Sequence, residues 1–137
     1  MADELPQFRA LGHDVRGLLP ALEVFPAPAR VTTVSLLSDE VTAVCPVTGQ
    51  PDFYTVAISY TPGPSCIESK SLKLYLQAYR TQGIFYEAVV NVILDDLVAA
   101  TKPRRLTVEG DFRVRGGISS VVTATYEAPT RGRGRKR

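Results

Sequence analysis

The sequence predicts an α+β domain built in the order β-β-α-α-β-β, and three observations predict it. Two stretches before residue 61 are rich in β-branched residues and partly alternate. From residue 68 to 100 the apolar period becomes helical. After Pro103 alternation returns on both sides of a Gly116-Gly117 pair. Two hairpins around a helix pair force no parallel crossover, so the strands make one four-stranded antiparallel sheet with both helices on one face. Such a sheet keeps two open edges and one uncovered face. Neighbouring copies of the chain would close both, so a homo-oligomer is expected.

Each element has its local reason. Residues 1–28 hold Pro6, Pro20, Pro26 and Pro28 with Gly12 and Gly17, and read as an irregular leader with a helical turn near Leu18–Val24. Arg30–Leu37 (RVTTVSLL) reads as the first strand. Residues 45–52 (CPVTGQPD) are turn chemistry, and Phe53–Tyr60 (FYTVAISY) is the second strand, ended by TPGPS. Glu68–Tyr79 places Leu72, Leu76 and Tyr79 at helical spacing. Thr81–Gly83 break that helix. Ile84, Phe85, Ala88, Val89, Val92, Ile93 and Leu97 then form one broad apolar stripe, on a helix of about 17 residues. Arg105–Val114 is the third strand, with an irregularity expected at Gly110, and Ile118–Tyr126 is the fourth. The expected organisation is a leader (1–28), one domain (29–128) and a basic disordered tail (129–137), without internal repeats.

Composition bounds the function. The chain has 137 residues, 45% apolar and 22% charged, which is ordinary for a globular domain that needs neither disulfides nor metal to hold a core. The net charge of +2 conceals an asymmetry. Arg131, Arg133, Arg135, Lys136 and Arg137 are five of the 16 basic residues; without them 11 basic face 14 acidic residues, a net −3 over 1–129. The tail is either a nucleic-acid-contacting arm or simply solvated. The acidic N-terminus MADELPQF does not resemble an export signal. The apolar run Ala88–Ala100 is interrupted by Asn91, Asp95 and Asp96 and is unsuited to a bilayer. Two cysteines, Cys45 and Cys66, make no disulfide framework, and a reduced cytoplasmic setting is expected.

Several residues have both a bland and a chemical reading. Cys45, in a Pro/Gly-rich turn, is a packing residue or a reactive thiol. Asp52, at the other end of that turn, bonds turn amides or folds back toward Cys45. Glu68 is a suitable first-turn acid, and the serines of ESKS are suitable caps. Lysines one turn in, beside free amides, suit a phosphate or a solvated face. Glu87 lies beside the apolar stripe, as a surface acid or as a grip on two adjacent donors of a guanine-like base. Arg115-Gly116-Gly117 is a bare turn or an anion-binding one. The single histidine, His13, argues against a catalytic triad or a multi-histidine metal site, and no common nucleotide-binding glycine motif is present.

Four segments together carry a specific resemblance: CPVTGQPDF (45–53), IESKSLKLYL (67–76), FYE (85–87) and RGGI (115–118). In order and spacing they resemble the 7-cyano-7-deazaguanine reductase (QueF) family, short single-module type, from about Leu22 to Tyr126. The resemblance implies the tunnelling fold, in which β-β-α-α-β-β units close into a barrel by oligomerisation. It implies a decamer of two stacked pentamers with active sites between subunits. It also implies NADPH-dependent reduction of a deazapurine nitrile to an amine, in queuosine biosynthesis for tRNA, with no metal, no membrane and no nucleic acid required.

By the same resemblance, Cys45 is the nucleophile that forms a covalent thioimide and Asp52 the proton donor. Ile67, Glu68, Ser69, Tyr86 and Glu87 contact substrate. Ser69, Lys70, Arg115 and Gly116 contact NADPH. Tyr86 is a departure, because the family commonly has histidine there. A phenol keeps a ring and a hydroxyl but, with a reference pKa of about 10, does not titrate near neutrality. Two other readings compete: a tunnelling-fold amidinotransferase acting on the same nitrile, and a non-enzymatic tRNA-binding module acting through the tail.

Overall fold

A computed structural model describes residues 21–130. The first part of the leader, with His13 and the Leu18–Pro20 portion of the expected helical turn, lies outside the described residues, as do tail residues 131–137. The strands are β1 (Val24–Pro26), β2 (Val34–Val44), β3 (Pro51–Thr61), β4 (Ser65–Ile67), β5 (Arg105–Arg115) and β6 (Ile118–Glu127). The helices are α1 (Ser69–Gln77), extended by a 3-10 turn (Ala78–Thr81), and α2 (Tyr86–Thr101). The main sheet is antiparallel throughout, in the order β2-β3-β5-β6. Its two hairpin turns, 45–50 and 116–117, lie at the same end.

Alternation decides the faces. On β3, Asp52, Tyr54, Val56, Ile58 and Tyr60 are buried under the helices, and the residues between them face outward. Cross-strand rows continue that face, such as Leu36–Ile58–Val108–Ala124. Leu72, Tyr75 and Leu76 of α1 and Val89, Val90, Ile93 and Leu97 of α2 complete the core. The opposite face is uncovered, with Leu37, Phe53 and Val121 exposed.

β2 differs from the expected Arg30–Leu37. It starts at Val34, where β3 supplies its last partner, Tyr60, and runs on to Val44. The continuation was hidden in Ser38-Asp39-Glu40. Ser38 pairs with Val56 and Val41 with Tyr54, so Asp39 and Glu40 together oppose Thr55. That one-residue bulge shifts the phase, so that Val41 and Ala43 face the core as Val34 and Leu36 do. A second correction concerns Val24–Pro26, expected to be irregular or helical. It is strand β1, paired with β4 through Val24↔Ile67 and Phe25↔Cys66.

Gly110 is a third correction, because no irregularity occurs there. It pairs in register with Val56 and Val122, and the shift falls between Phe112 and Arg115. Glycine is required for a different reason. A Cβ at 110 would lie 2.8 Å from Val90 Cγ2 and 2.8 Å from the Phe112 ring, so α2 crosses the sheet at this point.

A buried polar cluster ties the helices together. Tyr75 Oη is 2.8 Å from Tyr79 Oη and donates to Asp96 on α2. Burial is the main cause of the raised pKa of both phenols, with Tyr79 pushed up to about 12. Both stay protonated and neutral in the core. Among the described residues no helix is long and apolar enough to cross a membrane.

Candidate active site

The β2–β3 turn is closed by its own backbone. Cys45 N–H donates to Gln50 O (2.8 Å), and Gly49 N–H donates to Cys45 O (2.8 Å). Gly49 sits at φ +75, a conformation costly to a side-chain-bearing residue. Cys45 is therefore fixed at the mouth of the turn and half-buried. Asp52 leaves the other end with its side chain on the core face, opposite Ala43, and only 6% exposed.

The start of the second helix also differs from expectation. Ile84 and Phe85 were expected on its apolar stripe, but α2 begins at Tyr86, with Phe85 as N-cap. The preceding chain is extended because it pairs with the end of β2. Val44 N–H donates to Gln82 O (3.0 Å), and Ile84 N–H donates to Val44 O (3.2 Å). Those bonds hold the start of α2, with Tyr86 and Glu87, beside the end of β2 that leads into Cys45. Phe85, 59% exposed, gives α2 no side-chain cap. The positive end of the α2 dipole therefore opens on this place.

The result is a pocket of about 240 Å³ lined by Cys45, Pro46, Asp52, Ile84, Phe85, Tyr86 and Glu87. Four residues expected at the site, Cys45, Asp52, Tyr86 and Glu87, are brought together here from two segments 34 residues apart. Tyr86 Oη donates to Asp52 Oδ1 at 3.4 Å. Its ring stacks on Phe112 (centroids 4.0 Å apart, planes at 21°), and Phe112 stacks on Tyr54 (4.5 Å, 24°). Tyr54 Oη is buried and has no hydrogen-bond partner among the described residues. Burial first, then the fields of Tyr79 and Asp52, push its pKa up, so it remains a phenol. Phe112 and Tyr54 were not foreseen as part of the site. The only signal in the sequence was strand alternation, which marks them as core.

The other expected site residues lie elsewhere in the chain. Ile67 is buried in β4, its N–H donating to Tyr60 Oη (2.8 Å). Glu68 is the N-cap of α1: its carboxylate accepts from Ser71 N–H (2.7 Å) and Lys70 N–H (3.0 Å). Those two amides hold the Glu68 carboxyl below the usual carboxylate range. They are therefore not open to a phosphate, as the lysine-rich first turn had suggested. Ser69, with Lys73, lines a second cavity of about 380 Å³ between α1 and the β2 bulge. Lys70 is exposed, and Gly116 is exposed on the β5–β6 turn at φ +62, with nothing within 4 Å of a built Cβ.

As donors, an ammonium at Lys70, a hydroxyl at Ser69 and an open glycine turn after Arg115 fit the phosphates of a dinucleotide. Within one chain they form two patches. Ser69 lies against edge strand β2, and the turn lies beyond β3 and β5.

Fold and site thus define a class: an α+β protein with a turn-borne thiol and a buried carboxyl sharing a pocket at the N-terminus of a helix. The family model described as "QueF-like protein" matches residues 51–131, more than half of the chain, and this chain belongs to that family. An NADPH-dependent 7-cyano-7-deazaguanine reductase of Rhodopirellula baltica is 50% identical over 115 residues, 82% of this chain and 95% of the relative. One of Syntrophus aciditrophicus is 50% identical over 129 residues, 93% of this chain and 91% of the relative. Among solved structures, the archaeosine synthase QueF-Like in its apo form superposes with a TM-score of 0.67 at 22% identity. It covers 73% of this chain and 98% of that one, a likeness of fold.

Proposed function

We propose that this protein reduces the nitrile of 7-cyano-7-deazaguanine to the aminomethyl group, using two NADPH, in the queuosine pathway of tRNA. The observation that carries the reading is the single pocket holding Cys45, Asp52 and Glu87. Relatives at about 50% identity named for this reaction support it.

Each residue has a part that chemistry demands. A nitrile carbon is a weak electrophile, and a thiolate is a strong, soft nucleophile toward it. The Cys45 sulfur adds to the nitrile carbon, and the nitrogen gains a proton from Asp52, giving a thioimide. The positive end of α2 favours the anionic sulfur. Ser69, Lys70, Arg115 and Gly116 would hold NADPH, which would supply the hydride for each of the two reductions. Each hydride gained by carbon is matched by a proton gained at nitrogen. Expulsion of the Cys45 thiol between the two returns the enzyme to its starting state. Glu87, exposed at the first turn of α2, accepts the ring N–H and amino group of the base.

Ile67, Glu68, Ser69, Lys70 and Gly116 lie outside the Cys45 pocket in one chain. The reading therefore places the complete site between subunits. The uncovered sheet face, with Leu37 72% exposed, and the sheet edges at β2 and β6 support closure into a barrel of the tunnelling type, while the count of two stacked pentamers rests on the family resemblance alone. The reading sets the enzyme in the cytoplasm with no nucleic acid required, so removal of 130–137 leaves turnover intact.

The test is NADPH oxidation with 7-cyano-7-deazaguanine, beside Cys45→Ala. Two NADPH consumed per nitrile, and none in the variant, is the expected result. A stable adduct on Cys45 without NADPH consumption would instead indicate ammonia-transfer chemistry, and the absence of both signals would refute the reading.

A further inference from the structure

The place next to Glu87 is occupied by a phenol rather than an imidazole, and its contacts show what it does. Tyr86 touches Asp52 through its hydroxyl and Phe112 through its ring. Phe112 is 2% exposed and is itself clamped by Tyr54 on the adjoining strand, with α2 packed close by at Gly110. The ring of Tyr86 thus rests on a buried, stacked column, and the ring's direction sets that of its hydroxyl. A buried carboxyl without a donor rotates and pairs with whatever is near; one held by a fixed O–H presents its other oxygen in a constant direction.

We propose that Tyr86 is a positioning residue for Asp52: the Phe112-stacked phenol donates to Oδ1 and so sets the direction in which the carboxyl meets the substrate nitrogen. This rests on the nitrile-reductase reading of the same pocket. Among the described residues, the titratable groups placed near Asp52 include Cys45 from the β2–β3 turn, Tyr86 and Glu87 from α2, Tyr54 from β3 itself, and Tyr79 behind Tyr54, and none of these is an imidazole. Orientation of the acid by Tyr86 therefore persists through the pH range where a histidine in this place would change charge. The 3.4 Å separation is of the length that tightens when substrate closes a site.

The experiment uses the full chain as wild type, Tyr86→Phe and Tyr86→His. The rate of adduct formation on Cys45 is followed by intact mass with 7-cyano-7-deazaguanine and no NADPH, from pH 5.5 to 9; kcat and KM for NADPH oxidation are measured alongside. Tyr86→Phe keeps the ring and its stack, so KM stays within about twofold while adduct rate and kcat fall roughly five- to tenfold, the scale of one lost hydrogen bond. Tyr86→His restores a donor and adds a limb to the pH profile near the imidazole value of about 6.5, absent from wild type. Wild-type rates in Tyr86→Phe, or a Tyr86→His profile that superimposes on wild type, overturn the proposal while leaving the reductase reading intact. No adduct and no oxidation in wild type overturn both.

Discussion

Gly110 joins the fold to the site, and replacing it with alanine tests that connection. The added methyl would stand 2.8 Å from Val90 Cγ2 and 2.8 Å from Phe112 Cε1, with the Phe112 Cζ at 3.1 Å. Neither neighbour can yield cheaply, because Val90 is fully buried and Phe112 is held between Tyr54 and Tyr86. Overpacking of this kind costs about 1–3 kcal/mol. The lower chain entropy of alanine in the unfolded state returns about 0.4–1 kcal/mol. The net loss is therefore centred on about 1.3 kcal/mol and at most about 2.6 kcal/mol, which lowers Tm by roughly 4–6 °C at the centre for a domain of this size. Relief by movement of Phe112 would also tilt the Tyr86 ring, so the adduct rate on Cys45 should drop along with stability. The assay is thermal unfolding at fixed protein concentration, with adduct formation measured well below Tm. Gly83→Ala is the control, since its Cβ would meet Pro46 Cα only at 3.4 Å. The reasoning is falsified if Gly110→Ala melts no lower than Gly83→Ala.

Other outcomes follow from single contacts. Asp52→Asn keeps the acceptor for Tyr86 but removes the acid, so turnover with the nitrile should fall at least about 100-fold with the fold unchanged by circular dichroism. Glu68→Ala removes the cap of α1 and should cost about 1 kcal/mol at neutral pH in urea unfolding. The folded-state pKa of Glu68 is depressed, so this contribution is full above the ordinary carboxylate value of about 4.3 and is lost as pH falls through the depressed one. The gap between wild type and Glu68→Ala should therefore narrow in acid; a gap that widens would contradict the capping assignment. Tyr75→Phe takes the donor from Asp96 and the partner from Tyr79, which should destabilise by about 1–3 kcal/mol in the same assay.

The sequence by itself determined the order and type of the six main elements, because period-2 and helical apolar patterns are local properties of the chain. It also singled out Cys45, Asp52 and Glu87, each with a bland and a chemical reading, and only the resemblance of whole segments to a known family chose between them. What it could not carry was anything decided by partners far along the chain. β1 exists only because β4 lies beside it, and β2 runs past Ser38-Asp39-Glu40 only because β3 offers a ladder there. Gly110 read as a bulge, whereas packing of Val90 makes the glycine necessary. The same reason explains the site. Phe112 and Tyr54 carry no functional signal along the chain and acquire one only when the antiparallel register sets them behind Tyr86. Glu68 shows the reverse: a carboxylate in a segment that resembles a ligand-binding signature is, in the fold of a single chain, the cap of α1. Tertiary structure made these decisions because stacking, capping and close approach depend on distances in space, and sequence spacing encodes those only within one helix or strand.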